Sequence, residues 1–224
     1  FCLSRGLGDV YKRQLQADVV LENYKVGTLA RYGLDEASLR KLNPRLVYCS
    51  VTGFGQTGPR RDQPAYDFLI QAMGGLMSVT GERDGLPGAG PQKVGVPIVD
   101  LMTGMYTAVA VLGALAQRER TGQGEFIDVA MLDVQVASLA NQAMNYLVSG
   151  KVPRRNGNAH PNIQPQDVYS CADGDVILVV GNDGQYAKLC EALGRPELAT
   201  DARYATNAQR VRCLLYTSPS PRDR

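Results

Sequence analysis

Histidine is almost absent from this sequence, since His160 is the only one among 224 residues. That excludes a multi-histidine metal site, and it argues against a Ser-His-Asp apparatus because no GxSxG motif accompanies it. The cysteines show neither a CxxC motif nor the spacing of metal ligands. They are Cys2, Cys49, Cys171, Cys190 and Cys213. We therefore expect no metal site.

Neither sign of charge dominates, because 24 basic residues face 22 acidic ones and leave a net charge of +2. This balance gives no reason to expect a nucleic acid or a membrane surface as partner. An odd number of cysteines without a recognisable signal peptide predicts reduced thiols and a cytoplasmic location. The uncharged stretch 101–116 looks too short, and too rich in Gly, Thr and Ala, to span a bilayer, so we predict a buried helix there.

The two ends differ from the rest of the chain. Residues 1–14 and 213–224 lack the apolar periodicity of their neighbours, and both resemble translated sequencing-adapter text. The closing stretch is rich in Ser, Pro and Arg, which predicts disorder. We exclude both ends from the fold prediction and expect the natural protein to continue in both directions.

Strand and helix patterns alternate along the first third of the chain. "ADVVLENY" (17–24) and "RLVYCSVTGFG" (45–55) have the β-branched runs of buried strands, and "LDEASLRKLNP" (34–44) has leucines at helical spacing. A strand, a helix and a second strand within about 35 residues form a βαβ unit, which favours a parallel sheet. The fold class predicted from these patterns is α/β.

Further elements follow in order. In the segment 68–81 the patterns predict a helix that ends at Gly74–Gly75. They further predict a helix over 101–118, a strand over 125–131, a helix over 132–150, a hairpin over 167–181 around Asp173–Gly174, and a helix over 184–194. A Pro/Asn/Arg-rich linker at 151–165 separates the two halves. We predict a partial large domain over 15–150 and the start of a small α+β domain over 166–212.

Asp100, in "VPIVDLMTG" (96–104), is the leading candidate for chemistry. It stands alone between an apolar run and a long uncharged helix. One interpretation is a helix N-cap, because an Asp side chain there accepts from free backbone N–H groups. The other is an ionised, poorly hydrated nucleophile stabilised by the helix N-terminus. Composition and spacing leave both interpretations open.

The glycine-rich segment "VTGFGQTGP" (51–59) is a second candidate. It would let a ligand approach the backbone, yet it matches neither a Walker A nor a GxGxxG motif, and an ordinary tight loop fits it as well. Arg31, Arg60 and Arg61 could meet phosphates or could simply be solvated.

Taken together, several segments resemble the class III CoA-transferases, the group of formyl-CoA and carnitine CoA-transferases, to which the α-methylacyl-CoA racemases are related. The resemblance covers residues 17–212, and its motifs stand in the family's order and spacing. They are "VLENYKVGTLARYGLD", "LNPRLVYCSVTGFGQTGP", "AYDFLIQAMGG", "DLMTGMYTAVAVLGALAQRERTGQGEFIDVAMLD" and "GNAHPNIQP".

The resemblance implies a reaction. Asp100 takes the place of the family's catalytic aspartate, which attacks an acyl-CoA thioester and forms an aspartyl–acyl anhydride. Free CoA then attacks the anhydride and leaves an aspartyl-CoA thioester, and an acceptor carboxylate reverses the sequence. The site must exclude water, because hydrolysis would abort the transfer. Acyl-CoA and a small carboxylic acid are therefore the expected substrates, and no tightly bound cofactor is expected.

The resemblance also implies binding residues and an assembly. CoA contacts are expected at Asn23, Tyr24 and Lys25, with Arg31 for a phosphate. The pantetheine arm and the thioester are expected beside Gly53, Gly55, Gln56, Ala65, Tyr66 and Asp67. The family usually has Arg and Pro where this chain has Lys25 and Val26, and a lysine loses the bidentate fork of an arginine. The large domain is expected to be Rossmann-like, and the full-length protein is expected to form an interlocked homodimer.

Two other activities are weighed against CoA transfer. Racemases of the superfamily carry a histidine where this chain has Tyr66, and a phenol is a poor base near neutral pH. A non-catalytic acyl-CoA-binding module is the third alternative. The glycine-rich loop that covers the family's aspartate has only a loose counterpart, at 180–185. The donor and acceptor acids cannot be inferred from the sequence.

Overall fold

The structure is a computed structural model that describes residues 16–217. The adapter-like segment predicted over 1–14 lies outside the described residues, as do residues 218–224 of the closing one. The strands are Val19–Glu22 (β1), Val47–Thr52 (β2), Phe126–Ala130 (β3), Gln166–Cys171 (β4) and Gly174–Val179 (β5). The α-helices are Glu36–Leu42 (α1), Asp67–Met73 (α2), Leu76–Val79 (α3), Ile98–Thr121 (α4), Met131–Ala137 (α5), Asn141–Ser149 (α6), Asp183–Ala192 (α7) and Asn207–Thr217 (α8).

The predicted βαβ unit is confirmed. The side chain of Asp35 caps α1 by accepting a hydrogen bond from the Ser38 N–H at 3.0 Å, and the helix ends before Pro44, where the preceding residue is pushed into extended backbone. The predicted end of a helix at Gly74–Gly75 is confirmed too, because α2 ends at Met73. The short helix α3, which starts at Leu76, was not predicted.

Two local predictions were wrong. Residues 132–150 form two helices, α5 and α6, separated by Ala140 at a φ of 46°. No glycine or proline at 138–140 signals this break. In the hairpin, Cys171 pairs with Gly174, so the two turn residues are Ala172 and Asp173, one position earlier than predicted.

The three-stranded sheet of the first unit is parallel and has helices on both faces. β2 lies in the centre, with β1 on one side and β3 on the other. Successive side chains of a strand point to opposite faces. Tyr48 accordingly packs with Leu39 of α1, and its neighbour Cys49 packs with Val134 of α5 and Met102 of α4. The first unit is thus an α/β layer structure whose strands all end at one edge.

The helix α4 is longer and more exposed than the sequence suggested. It has 24 residues, and it is the one described helix that is long and apolar enough to cross a bilayer. The expectation that the apolar stretch is too short to span a bilayer was therefore wrong. The prediction of a buried helix holds for one face only. Val99, Thr103 and Ala114 are buried, whereas Met105 and Val109 are more than half exposed.

Contacts divide the described chain into two units. The first comprises 16–77 and 93–153, and the second comprises Ser78–Gln92 and 154–217. Nothing in the sequence indicated that 78–92 would join the second unit. It does so through Arg83, which pairs with Asp167 at 2.9 Å, and through the Glu82 carbonyl, which accepts from Arg155 at 3.3 Å.

The second unit is built around a buried arginine. The Arg210 guanidinium lies 4.3 Å from the ring centroid of Tyr186, donates to the carbonyls of Gln164 and Tyr204, and pairs with Asp183. Arg210 belongs to α8, which extends to Thr217. The disorder predicted from the composition of 213–224 stays a prediction.

Close packing between β2 and the segment before β3 yields a stability prediction. A Cβ at Gly124 would lie 2.0 Å from the carbonyl oxygen of Leu46, whereas a Cβ at Gly113 in α4 would have nothing within 4 Å. We expect Gly124→Ala to lower the free energy of unfolding by about 2 kcal/mol or more, because the backbone must move. Gly113→Ala, the matched control, should raise it by up to about 1 kcal/mol. Urea titration of both variants measures this, and equal stability of Gly124→Ala and the wild type would contradict the packing described.

Candidate active site

Asp100 lies in the first turn of α4 and does not cap it. The helix starts at Ile98, and Pro97 at the N-cap position makes no side-chain cap bond. Among the residues that the structure describes, the Asp100 carboxylate accepts no hydrogen bond. The N-cap interpretation of Asp100 is therefore wrong.

The cap of α4 comes from another helix. The Asp67 carboxylate, at the start of α2, accepts from the Val99 N–H at 2.8 Å and, at 3.4 Å, from the Asp100 N–H. Its second oxygen accepts from the Gln71 side-chain amide at 2.6 Å. Gln71 is fully buried and in turn accepts from the Val94 N–H at 2.9 Å. Asp67 was predicted as a substrate contact, but the structure gives both of its oxygens partners within the protein.

No motif in the sequence singled out Gln71. The available signal was its spacing, since residues four apart on a helix share a face and Asp67 with Gln71 form such a pair. Together the two side chains satisfy free N–H groups at the start of α4 and at Val94 just upstream. This arrangement leaves the Asp100 carboxylate free of a capping role.

The setting of Asp100 raises its pKa. Partial burial disfavours the charged carboxylate, and the negative charge of Asp67 adds to the effect. Asp100 is nevertheless exposed within the described chain. The water-excluding setting expected from the apolar sequence around it is therefore not formed by these residues alone.

Gly53, directly after β2, brings the end of the central strand beside Asp67. A Cβ at Gly53 would lie 2.1 Å from the Cβ of Ala65, so only glycine permits this approach. Ala65 precedes Tyr66, whose side chain is 77% exposed, and then Asp67. The structure thus brings together Gly53, Ala65, Tyr66, Asp67 and Asp100.

Gly55 and Gln56 lie at the other side of the strand ends. Gly55 has a φ of 83°, and its N–H donates to the Thr52 hydroxyl at 2.9 Å. The Gln56 N–H donates to the Asp128 carboxylate of β3 at 2.8 Å. These bonds fix the turn after β2.

The predicted CoA-binding residues follow β1 at the same edge of the sheet. Asn23, Tyr24 and Lys25 are exposed, and Arg31 lies in the 3₁₀ helix Leu29–Tyr32. In the described part of the chain, no hydrogen bond or ion pair links any of them to Asp100. A cavity of about 240 Å³ opens beside them. Its polar lining includes Glu22, Lys25, Asp35, Glu36, Ser50 and Gln56.

Other candidate nucleophiles are less suited. Burial, with the nearby charges of Glu22 and Asp128, raises the pKa of Cys49 to about 11, so its thiol stays protonated at neutral pH. His160 lies in a loop of the second unit, where its Nδ1 accepts from the Asn162 N–H at 3.1 Å. No cluster of three or more metal-ligating side chains occurs between residues 16 and 217.

The segment 180–185, the expected counterpart of the family's covering loop, leads into α7 and includes its first residues. The Asn182 side chain caps this helix by accepting from the Gln185 N–H at 2.9 Å, and the Gln185 side chain accepts from the Gly181 N–H at 2.7 Å. A role over Asp100 stays a prediction.

The fold and the site define an α/β protein with a free carboxylate at the start of a helix, beside the end of a parallel strand. The model of CoA-transferase family III matches residues 14–214. The chain belongs to this family.

Individual relatives agree with this assignment. A succinate–glutarate CoA-transferase of Agrobacterium fabrum is 57% identical over 87% of this chain and 48% of its own length. An acetyl-CoA:oxalate CoA-transferase of Acetobacter aceti is 43% identical over 88% of the chain and 50% of its own length. The crystal structure of a CAIB/BAIF family protein from Brucella suis matches with a TM-score of 0.77 and 51% identity, over 95% of this chain and 55% of that one. The chain thus spans about half the length of these relatives.

The contact between Asp67 and the start of α4 makes the pKa of Asp100 testable. Asp67→Asn removes a negative charge, so we expect the pKa of Asp100 to fall toward the ordinary aspartate value, and Asp100 to stay ionised to lower pH. Carboxyl ¹³C NMR titration of the chain measures it. Asp133→Asn, at an exposed carboxylate in the first turn of α5, is the matched control and should leave the Asp100 pKa unchanged. An unshifted Asp100 in Asp67→Asn would refute the electrostatic account.

Proposed function

We propose that the full-length protein containing this chain transfers CoA from an acyl-CoA donor to a carboxylic acid acceptor, with Asp100 as the nucleophile. The observation that carries the proposal is the free carboxylate of Asp100 in the first turn of α4, capped by Asp67 instead. Membership of CoA-transferase family III supports the reaction class.

The proposed reaction proceeds through two kinds of covalent intermediate, aspartyl–acyl anhydrides and an aspartyl-CoA thioester. The Asp100 carboxylate attacks the thioester carbonyl and the carbon–sulfur bond breaks. This step releases CoA thiolate and forms an aspartyl–acyl anhydride. The thiolate then attacks the aspartyl carbonyl, releases the first acid and forms an aspartyl-CoA thioester. An acceptor carboxylate attacks the aspartyl carbonyl of this thioester and displaces CoA thiolate, which gives a second anhydride between Asp100 and the acceptor. The thiolate then attacks the acceptor carbonyl of that anhydride, forms the new acyl-CoA and releases the Asp100 carboxylate. The thioester is conserved because CoA thiolate, displaced in each half of the reaction, forms a thioester again in the following step.

The raised pKa of Asp100 suits a nucleophile. A carboxylate whose pKa lies above its ordinary value is, once ionised, a stronger base than an unperturbed aspartate. The N–H groups at the start of α4 favour a negative charge there. Exclusion of water is assigned to parts of the full-length protein outside the described residues.

Substrate binding is proposed for the remaining site residues. Asn23, Tyr24, Lys25 and Arg31 would hold CoA, whose phosphates suit the two basic side chains. Gly53, Gly55, Gln56, Ala65 and Tyr66 would line the path of the pantetheine arm. We further propose that the large domain is Rossmann-like and that the protein is cytoplasmic. The names of the relatives contain succinate, glutarate and oxalate, so dicarboxylic acids are the first acceptors to test.

Two variants of Asp100 test the nucleophile in the full-length protein. We expect Asp100→Ala and Asp100→Asn to lower kcat for CoA transfer at least about 1,000-fold, because neither side chain can form the anhydride. Glu191→Gln, at an exposed carboxylate of α7, is the control and should retain wild-type kcat. Chromatography of the acyl-CoA products measures the rate of transfer for each variant. A kcat of Asp100→Ala within tenfold of wild type would point to another nucleophile.

The same preparation discriminates the alternatives. A racemase would exchange the α-hydrogen of a branched acyl-CoA for deuterium without transferring CoA, and a binding module would do neither while still binding CoA.

We also propose that the full-length protein is a homodimer. The exposed apolar side chains of α4, including Leu101, Met105, Val109 and Leu112, form a surface suited to a protein partner. Light scattering coupled to size exclusion should give twice the mass of one chain. A monomer at micromolar concentration would contradict this.

A further inference from the structure

A ladder of polar side chains crosses the three parallel strands at their carboxyl ends. Glu22 of β1 stands opposite Ser50 of β2, and Ser50 stands opposite Asp128 of β3. We call Glu22, Ser50 and Asp128, with Gln56 from the following turn, the strand-end ladder. Its face of the sheet is apolar toward the amino ends, where Tyr48 packs against Leu39.

Hydrogen bonds run through the ladder without a break. The Glu22 carboxylate accepts from the Tyr24 N–H at 2.7 Å and from the Ser50 hydroxyl. The Ser50 oxygen accepts from the Gln56 side-chain amide at 2.6 Å, and the Gln56 N–H donates to Asp128 at 2.8 Å. The chain of bonds therefore joins the segment after β1 to the turn after β2.

The ladder does not look like an ordinary surface salt-bridge network. Within residues 16–217 neither Glu22 nor Asp128 forms an ion pair, so neutral N–H and O–H donors satisfy the two carboxylates. Ser50, which links the two sides, is 1% exposed. Glu22, Ser50 and Gln56 also line the cavity beside Lys25. The buried Ser50 hydroxyl therefore belongs to one hydrogen-bond network with the backbone of the segment after β1 and the backbone of the turn after β2.

We propose that Glu22, Ser50 and Asp128 are positioning residues for acyl-CoA, coupling the CoA-binding segment 23–25 to the turn 53–56 beside Asp100. This rests on the proposed function. The residues act through the Tyr24 and Gln56 backbone, so their loss weakens binding of the acyl-CoA and leaves the chemistry of Asp100 in place. None of them is assigned a part in the covalent steps.

Kinetics of the full-length protein separate positioning from chemistry. Ser50→Ala and Asp128→Ala should each raise the KM for acyl-CoA about tenfold, the effect of one charge-assisted or network hydrogen bond, with kcat within about twofold. Asp128→Asn should recover most of the loss, because its amide oxygen still accepts from the Gln56 N–H. In Ser50→Ala/Asp128→Ala the KM should rise by clearly less than the product of the single effects, since both changes release the same turn.

Amide hydrogen exchange followed by NMR tests the coupling on the protein without substrate. Ser50→Ala should speed exchange at both Tyr24 and Gln56, although its hydroxyl bonds to neither backbone N–H. The matched control is Ser170→Ala in the β4–β5 hairpin, where the hydroxyl donates to Asp175 at 2.8 Å. It should change neither amide nor the KM.

The outcomes are distinct. Ser50→Ala with unchanged exchange at Tyr24, multiplicative KM effects, or a fall in kcat at constant KM would each overturn the positioning role. If the wild type transfers no CoA, the proposed function fails. The dissociation constant for CoA from calorimetry then replaces KM with the same expectations, and absence of CoA binding would overturn the positioning proposal as well. If Ser50→Ala does not fold, the exposed Asp128 supplies the Ala and Asn pair for both measurements.

Discussion

The hydrogen bonds from the backbone of Val99 and Asp100 to the Asp67 carboxylate are the interaction on which the site depends. A helix must satisfy its first N–H groups, and a nearby aspartate normally does so from the N-cap position. In this chain a carboxylate from α2 takes over that task, held in turn by the fully buried Gln71. The Asp100 side chain therefore keeps both oxygens available, at a raised pKa and at the positive end of a 24-residue helix.

Close approach of backbone segments brings the other parts to this point. Gly53 allows Ala65 to pack against the end of the central strand, which fixes where α2 starts and hence where Asp67 lies. On the opposite face, Ser50 and Asp128 fix the turn at Gly55 and Gln56. The end of β2 thus positions two sets of residues. Gly53 and Ala65 lie on the side of α4, and Ser50 and Gln56 lie on the side of the cavity beside Lys25.

Much of the fold could be predicted from the sequence, because its signals are local. The β-branched runs, the leucines at helical spacing over 34–44 and the stops at Pro44 and Gly74 predict β1, α1, β2 and α2 correctly. The break between α5 and α6 could not be predicted, since Ala140 adopts its positive φ without a glycine or proline to signal it. The assignment of 78–92 to the second unit depends on the long-range partners of Arg83 and Arg155, which no periodicity reveals.

Less of the site than of the fold could be predicted from the sequence. Asp100 and the glycine turn were found because they interrupt strong patterns, and the resemblance to a family supplied their roles. The two interpretations of Asp100 could not be separated without the position of Asp67, which is 33 residues away. The strand-end ladder depends on strand register, so Glu22, Ser50 and Asp128 showed no common pattern along the chain.

The central claim is that Asp100 carries the acyl group or CoA during turnover. Mass spectrometry of peptides from acid-quenched full-length enzyme with acyl-CoA tests this most directly. The account predicts an acyl or CoA adduct on Asp100, and an adduct confined to another residue during active turnover would contradict it.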